Sequence, residues 1–344
     1  MEAMQLIQVR SPKPVIRPFR EVEDAVIIND SAIGLIALKE RQQFIEANTK
    51  DVTLRHLTND CVIPVFSKDN EVTISHSNFI ETVFDAARKV FPNERIDTPE
   101  IRVSHLIKGR TPNAVHKPVN ELLEEDKTLY YERMAFVMEI PTIYEDIRGN
   151  QLTLSVGGVR AYNHENLYSK KTYEKFKVFI GFKNMVCCNL CISTDGYKEE
   201  IRVMDCRSLQ EKIIELFQSY NAAKHLHLMN CFKECCMTEH QFAQLIGKTR
   251  LYQCLPAKEQ KQLPKFEFND GQLNIIARNY YRDEAFCRNK DNTINLWNVY
   301  NLFTSANKNS YIDTLLDRAV NATDFLFGIS QALGGNKEYK WFIE

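Results

Sequence analysis

No run in this sequence is apolar for long enough to span a bilayer; the longest, such as Met185 to Cys191, is strand-sized. The amino terminus, MEAMQLIQVRSPKP, lacks the apolar core of a secretion signal. Charge of one sign is also missing: 44 Lys and Arg stand against 45 Asp and Glu, for a formal net charge of −1, so nothing global draws the chain to nucleic acid or membrane. There is no Walker loop, no Gly-x-Ser-x-Gly elbow, no His-Glu-x-x-His and no dinucleotide fingerprint, and Gly157-Gly158 is only a pair. ATPase, hydrolase and dehydrogenase chemistry thus lose their usual signals, and neither an enzymatic activity nor a cofactor is expected. Cysteine is plentiful by contrast. Ten of them without a secretion signal imply reduced thiols and a cytoplasmic setting.

At 344 residues the chain can bury one large core or two ordinary ones. Residues 1–48 show little periodicity, and Arg10 to Arg20, with three prolines and four cations, reads as a flexible, solvated arm. A short helix is expected over Ala32 to Ala47. Strands are expected over Cys61–Phe66 and Val72–Ile74, with a turn at Ser67-Lys68-Asp69-Asn70. A helix capped by Asn78 follows and is stopped by Pro92. From Glu100 the pattern turns β, with strands over Ile101–Ile107, Leu129–Ile140, Gln151–Val159 and Phe176–Cys191 and a hairpin turn at Arg148-Gly149-Asn150. Short connections favour antiparallel pairing. After Cys206 helices take over: one opened by Ser208, one by the Thr238/Gln241 capping box, one after Asp270-Gly271, with Lys258–Pro264 as a charged connector. The expectation is an α+β fold, an antiparallel β-rich lobe over 49–205 packed with an all-helical lobe over 206–335, and a tail over 336–344.

The densest stretch is Thr293 to Ile329. Leu296, Val299, Leu302 or Phe303, and Ala306 make one apolar stripe, while Trp297, Tyr300, Asn301, Thr304 and Lys308 fall on another face. Ser310 reads as the cap of a second helix, along which Asp313, Asp317, Asn321 and Asp324 look like a solvated face. The expectation is a helix-loop-helix with a polar, aromatic-bearing rim.

Three sets of residues invite chemistry. Cys188-x-x-Cys191 and Cys231-x-x-x-Cys235-Cys236, with His225, His227 and His240 nearby, have ligand-like spacings. Zinc, however, needs four ligands converging on one point, and Cys187, Cys188 and Cys191 are more simply small hydrophobes, mostly buried and unpaired. The acidic stripe carries the spacing of a metal-dependent nuclease only in its weakest form. The third set is basic and aromatic. Arg160, Lys170, Lys171, Lys175, Lys177 and Lys183 stand against Glu165 and Glu174, interleaved with Tyr162, Tyr168, Tyr173, Phe176, Phe179 and Phe182. Arg102, Lys108, Arg110 and Lys117 make a second cluster. A groove that follows a single nucleic-acid strand uses cations for phosphates and aromatic faces for bases.

The blocks Ile63–Glu81, Phe176–Gly196 and Leu296–Phe325 resemble those of an uncharacterised family of proteins encoded on bacterial plasmids, prophages and conjugative elements. More distantly, Val186, Cys187, Asn189 and Leu190 at a strand end, with Trp297, Tyr300, Asn301 and Thr304 on a late helix, are similar to marks of a broader phage- or plasmid-like class. The resemblance implies a setting on mobile DNA and no particular reaction. The leading expectation is a nucleic-acid-binding accessory protein of a mobile element, with Arg160, Lys170, Lys171, Lys175, Lys177 and Lys183 on phosphates and Trp297, Tyr300, Asn301 and Lys308 on bases or backbone. The alternative is a non-catalytic factor that binds a host protein, such as an inhibitor of a defence protein, through the same aromatic rim.

Overall fold

The fold was taken from a computed structural model, which describes residues 43–61, 73–114, 116–164 and 173–344. The expected arm up to residue 42, the strand over Cys61–Phe66 and its turn all lie wholly or largely outside those bounds, as do Lys170 and Lys171. Of the two elements that are partly covered, residues 43–47 are not helical, and Thr73 and Ile74 are not in a strand.

Seven antiparallel strands form the sheet among the described residues: β1 (Lys50–Asp51), β2 (Glu100–Arg110), β3 (Lys127–Ile147), β4 (Asn150–Ala161), β5 (Glu174–Asn184), β6 (Leu190–Cys191) and β7 (Tyr197–Val203). They follow the order β1-β2-β3-β4-β5, after which β5 pairs with both β6 and β7. The β3–β4 hairpin turns on two residues, as its sequence predicts. Arg148 and Gly149 both take positive φ (53° and 76°), the geometry that matches strand twist in a two-residue loop, and the Gly149 amide donates to Asp146 Oδ1 at 2.8 Å.

Alternation sorts the strand residues onto two faces. Met134, Phe136, Met138, Leu154, Val156, Phe176, Val178 and Ile180 face one core, where α2 (His76–Val90) and α3 (Cys206–Ser219) pack. Phe79 of α2 stacks edge-on to Phe136 at 5.3 Å and lies 4.7 Å from Phe176. The Gly157-Gly158 pair earns its place here: a Cβ on Gly158 would come within 2.6 Å of the Phe79 ring, and one on Gly157 would strike the Phe136 carbonyl. On the opposite face Ala135, Val137, Val159 and Phe179 are covered by Ile312, Leu315, Leu316 and Ala319 of the last long helix, and by Phe44 and Ile45.

The helical half contains α4 (Ala222–Glu234), α5 (Glu239–Cys254), the short α6 (Ala257–Gln260) within the charged connector, α7 (Asp270–Arg282), α8 (Leu296–Asn307) and α9 (Ile312–Leu333); α1 is the short helix Leu54–Asn59. Two short strands, β8 (Cys236–Met237) and β9 (Ile294–Asn295), pair ahead of α8. One continuous buried cluster runs from the α2 face of the sheet through α4, α5 and α7 to α8. The C-terminal tail is docked as well, with Phe342 fully buried and Tyr339 lying over Gly328.

Helix starts differ from expectation where several capping residues compete. Ser75 rather than Asn78 caps α2, and Asp205 rather than Ser208 caps α3, because each oxygen accepts the amide three residues on. The Thr238/Gln241 capping box forms as expected. Ser310 does not cap α9; Tyr311 occupies that position without a side-chain bond, and Ser310 instead bonds Asn307 Oδ1, Gln272 and Arg318. No helix among the described residues is long and apolar enough to cross a membrane.

Candidate functional site

The helix expected to carry an aromatic rim is internal. Ten of the twelve residues of α8 are buried, Trp297, Tyr300, Asn301 and Thr304 among them, and Lys308 just beyond is 3% exposed. The correction has a plain cause. A polar stripe on a helix looks the same in sequence whether water or protein satisfies it, and here protein does. Tyr300 Oη and Thr323 Oγ1 share a bond of 2.9 Å, Thr304 Oγ1 donates to the Tyr300 carbonyl, and Asn301 Nδ2 donates to the Trp297 carbonyl. On α8 the Trp297 Nε1 is left without a partner among the described residues.

The rest of the Asn301 capacity is used by the other family-marking stretch. Strand β5 ends at Asn184, so the apolar run to Cys191 is not one strand: residues 185–189 turn, with Cys188 at a φ of 57°, before β6 resumes the sheet. Asn184 Nδ2 donates to Asn301 Oδ1 at 3.0 Å, and Asn189 Nδ2 donates to the Asn301 carbonyl at 3.1 Å. Lys308 Nζ donates to the Cys187 carbonyl and lies 3.5 Å from Glu46. The two motifs that carry the sequence resemblance therefore bind one another, joining the end of the sheet to the central helix. Cys187 and Cys188 are half-buried and Cys191 fully buried, and all ten cysteines are free thiols. Burial pushes the Cys187 thiol up to about 12 and raises Cys191 further, the reverse of what a nucleophilic or redox thiol needs. Among the described residues no three His, Cys, Asp or Glu side chains gather as metal ligands.

Most of the nominated cations are inside the protein too. Arg160 is 1% exposed; its guanidinium meets Glu174 Oε2 at 2.5 Å, donates to the Ile74 carbonyl and lies 4.5 Å from the rings of Tyr162 and Phe176. Lys183 is buried between Glu100 (3.0 Å) and Glu139 (2.9 Å). In the second cluster Arg102 is buried against Thr49, Arg110 donates to the Lys117 carbonyl, and Lys117 pairs with Asp126; Lys108 is exposed. Arg102 and Lys177 stand at opposite ends of one row, Arg102–Ala135–Val159–Lys177, roughly 14 Å apart at normal strand spacing. The two residues between them lie under α9, so these two ends do not make one continuous exposed track.

Lys175 and Lys177 do reach a surface feature. With Val159, Glu199, Glu200, Asp313 and Asp317 they line a groove of about 500 Å³ beside the first turns of α9. Lys175 pairs with Glu200 at 2.9 Å and Lys177 with Asp317 at 2.5 Å, while Arg133 approaches Asp313 at 3.5 Å. The start of the acidic stripe of α9, Asp313 and Asp317, is accordingly a partly buried seam rather than a solvated face, while Asp324 farther along is exposed. Asp317 also accepts from Tyr197 Oη, Asn321 bonds the backbone at Lys265 and Glu267, and Asp324 accepts from Thr194. Desolvation still raises the Asp324 carboxyl. Two tyrosines, Tyr173 from the interleaved aromatic set and Tyr311, which the sequence did not single out, are strongly exposed, each two residues from a groove-lining residue. Exposure of a tyrosine at a helix cap, as for Tyr311, leaves no trace in periodicity.

Buried imidazoles set the response to acid. His76, donating through Nε2 to the Tyr131 carbonyl and set against Tyr162, is held down to about 3, first by burial and then by Arg160; His225, beside Tyr220, is held down to about 4 by burial. Both are neutral in the fold and take up protons on unfolding below an unfolded value of about 6.5. The unfolded state then binds more protons, so stability falls with pH from about 6.5 towards 4. Urea titrations at stepped pH should show a loss of about 1 to 2 kcal/mol per pH unit in that window. A flat profile would mean that these rings are not kept neutral.

The molecule is thus an α+β protein, a curled antiparallel sheet with helices on both faces and a carboxyl-terminal helical half built around one internal helix. A model of a family with no assigned function, the domain of unknown function described as B. Theta gene description (DUF3871), matches residues 21–343. The chain belongs to that family. No curated protein and no solved structure matches it.

Proposed function

We propose that this chain is a non-catalytic protein-interaction factor that holds a partner protein in the groove beside α9. The state of the described cations carries this reading. Arg160, Lys175, Lys177, Lys183 and Lys308 all already face carboxylates. A phosphate backbone gains its affinity by releasing counterions from free cations, and here it would have to displace carboxylates first. A protein partner has no such requirement. Interfaces tolerate neutralised charge pairs at their rims and draw most of their energy from a few aromatic anchors, for which Tyr173 and Tyr311 stand exposed. The mobile-element setting belongs to the same proposal, since it makes a cytoplasmic host defence protein the partner class to test first.

Two measurements decide it. Anisotropy titrations with labelled single- and double-stranded oligonucleotides at low and moderate salt should show no binding. Crosslinked pull-down from host extract should recover a protein with the parent chain and lose it with Tyr173→Ala/Tyr311→Ala. Oligonucleotide binding that weakens steeply with added salt would overturn the reading and restore the nucleic-acid one.

A further inference from the structure

We propose that a second surface, an apolar pit rimmed by carboxylates between α1, α2 and the chain entering β2, docks a basic segment of a partner protein through one apolar anchor side chain. This rests on reading the chain as a protein-binding factor, but none of its residues lines the α9 groove.

The pit is walled by Leu54, Ile80, Phe84, Ile96, Pro99 and Met138 and holds about 230 Å³. Ile80 and Phe84, four residues apart on α2, share one face of that helix, and Met138 rises from β3 beneath them. The volume decides what fits. Small-molecule sites run from about 300 to 1,000 Å³, so this pit is small for a ligand of that size and suits a single leucine or phenylalanine side chain. It opens, through Leu54, Ile96 and Pro99, into a wider groove of about 1,050 Å³ that has room for the residues flanking such an anchor.

Charge selects the partner. Asp51, Glu81, Asp97, Glu100 and Glu139 border the pit and its groove. Arg95 pairs with Asp97 at 2.8 Å, and Lys183 is shared by Glu100 and Glu139. Arg88 sits 5.8 Å over the Phe84 ring. Even with those three cations counted, carboxylates outnumber them by two, and Asp51 and Glu81 are both exposed. An apolar socket in an acidic border is complementary to Lys or Arg residues flanking a Leu or Phe. A second copy of this chain, with a net charge of −1, offers no such complement overall.

The test uses the full chain and fluorescein-labelled peptides in which a central Phe is flanked by arginines. The Phe peptide is expected to bind, a Ser-centred peptide to bind about tenfold more weakly, and a peptide with Asp in place of Arg not to bind. Asp51→Lys/Glu81→Lys changes only exposed side chains and should weaken the Phe peptide about tenfold with an unchanged melting curve. Leu54→Ser should weaken the Phe peptide and leave the Ser peptide unaffected. Tyr173→Ala/Tyr311→Ala should leave all of these affinities as they are, which separates this site from the α9 groove. Equal binding of Phe and Ser peptides, or indifference to the charge reversal, would overturn the proposal.

Discussion

Truncating Glu174 to alanine is expected to cost the fold about 3 to 5 kcal/mol, the usual penalty for leaving a buried charge uncompensated. Both Glu174 oxygens accept the Ile74 amide, at 3.3 and 3.1 Å, and one also accepts from Arg160, whose side chain is fully buried. Without the carboxylate, the guanidinium keeps the faces of Tyr162 and Phe176, but those offer only about 0.5 to 2 kcal/mol each. Arg160→Leu/Glu174→Leu should lose less than the single truncation, because it removes both charges and returns apolar volume to the site. Urea unfolding of the parent and both variants measures the difference. A single variant within about 1 kcal/mol of the parent would show that the pair contributes little to the fold.

The second large effect is at Trp297. Its indole is wholly buried, 5.9 Å from the Tyr300 ring, within a helix that has almost no solvent face. Trp297→Ala should destabilise by about 3 to 5 kcal/mol through lost burial and the cavity left behind. Trp297→Phe should lose less, since it keeps an aromatic ring in the site and gives up an Nε1–H that has no partner among the described residues. Melting curves and urea midpoints check both. A loss for Trp297→Ala no larger than that of an exposed substitution, within about 0.5 kcal/mol, would be incompatible with this placement.

Much of the sheet was legible because its signals are local. Arg148-Gly149 specifies its own turn, and β2, β3 and β4 alternate clearly enough to be found from the sequence. The long helices were legible for the same reason, including the Thr238/Gln241 box. What could not be read were features whose partners lie far away in sequence. On α8 the Asn301 side-chain oxygen and carbonyl are met by Asn184 and Asn189, more than a hundred residues earlier. The break after Asn184 hides inside an apolar run with ordinary strand composition. Lys183 and Arg160 looked like surface cations because long charged side chains are rarely buried unless paired, and their carboxylates are brought in from other elements. Lys177 was nearer its expected place, since parity put it off the α2 core, yet parity cannot show that α9 covers that side.

The long reach between Asn184 and Asn301 also bears on how the chain is made. The last strand of the sheet is complete at Val203, but the helix that receives Asn184 and Asn189 starts only at Leu296, roughly ninety residues later. At ribosomal rates of about 5 to 20 residues per second, that is a delay of roughly 5 to 20 s. During it the nascent sheet carries apolar side chains whose helical cover has not yet been synthesised, and two asparagines whose partner does not yet exist. Early release of the chain, before α8 has left the ribosome, should therefore yield a species that chaperones capture, rather than a stable half.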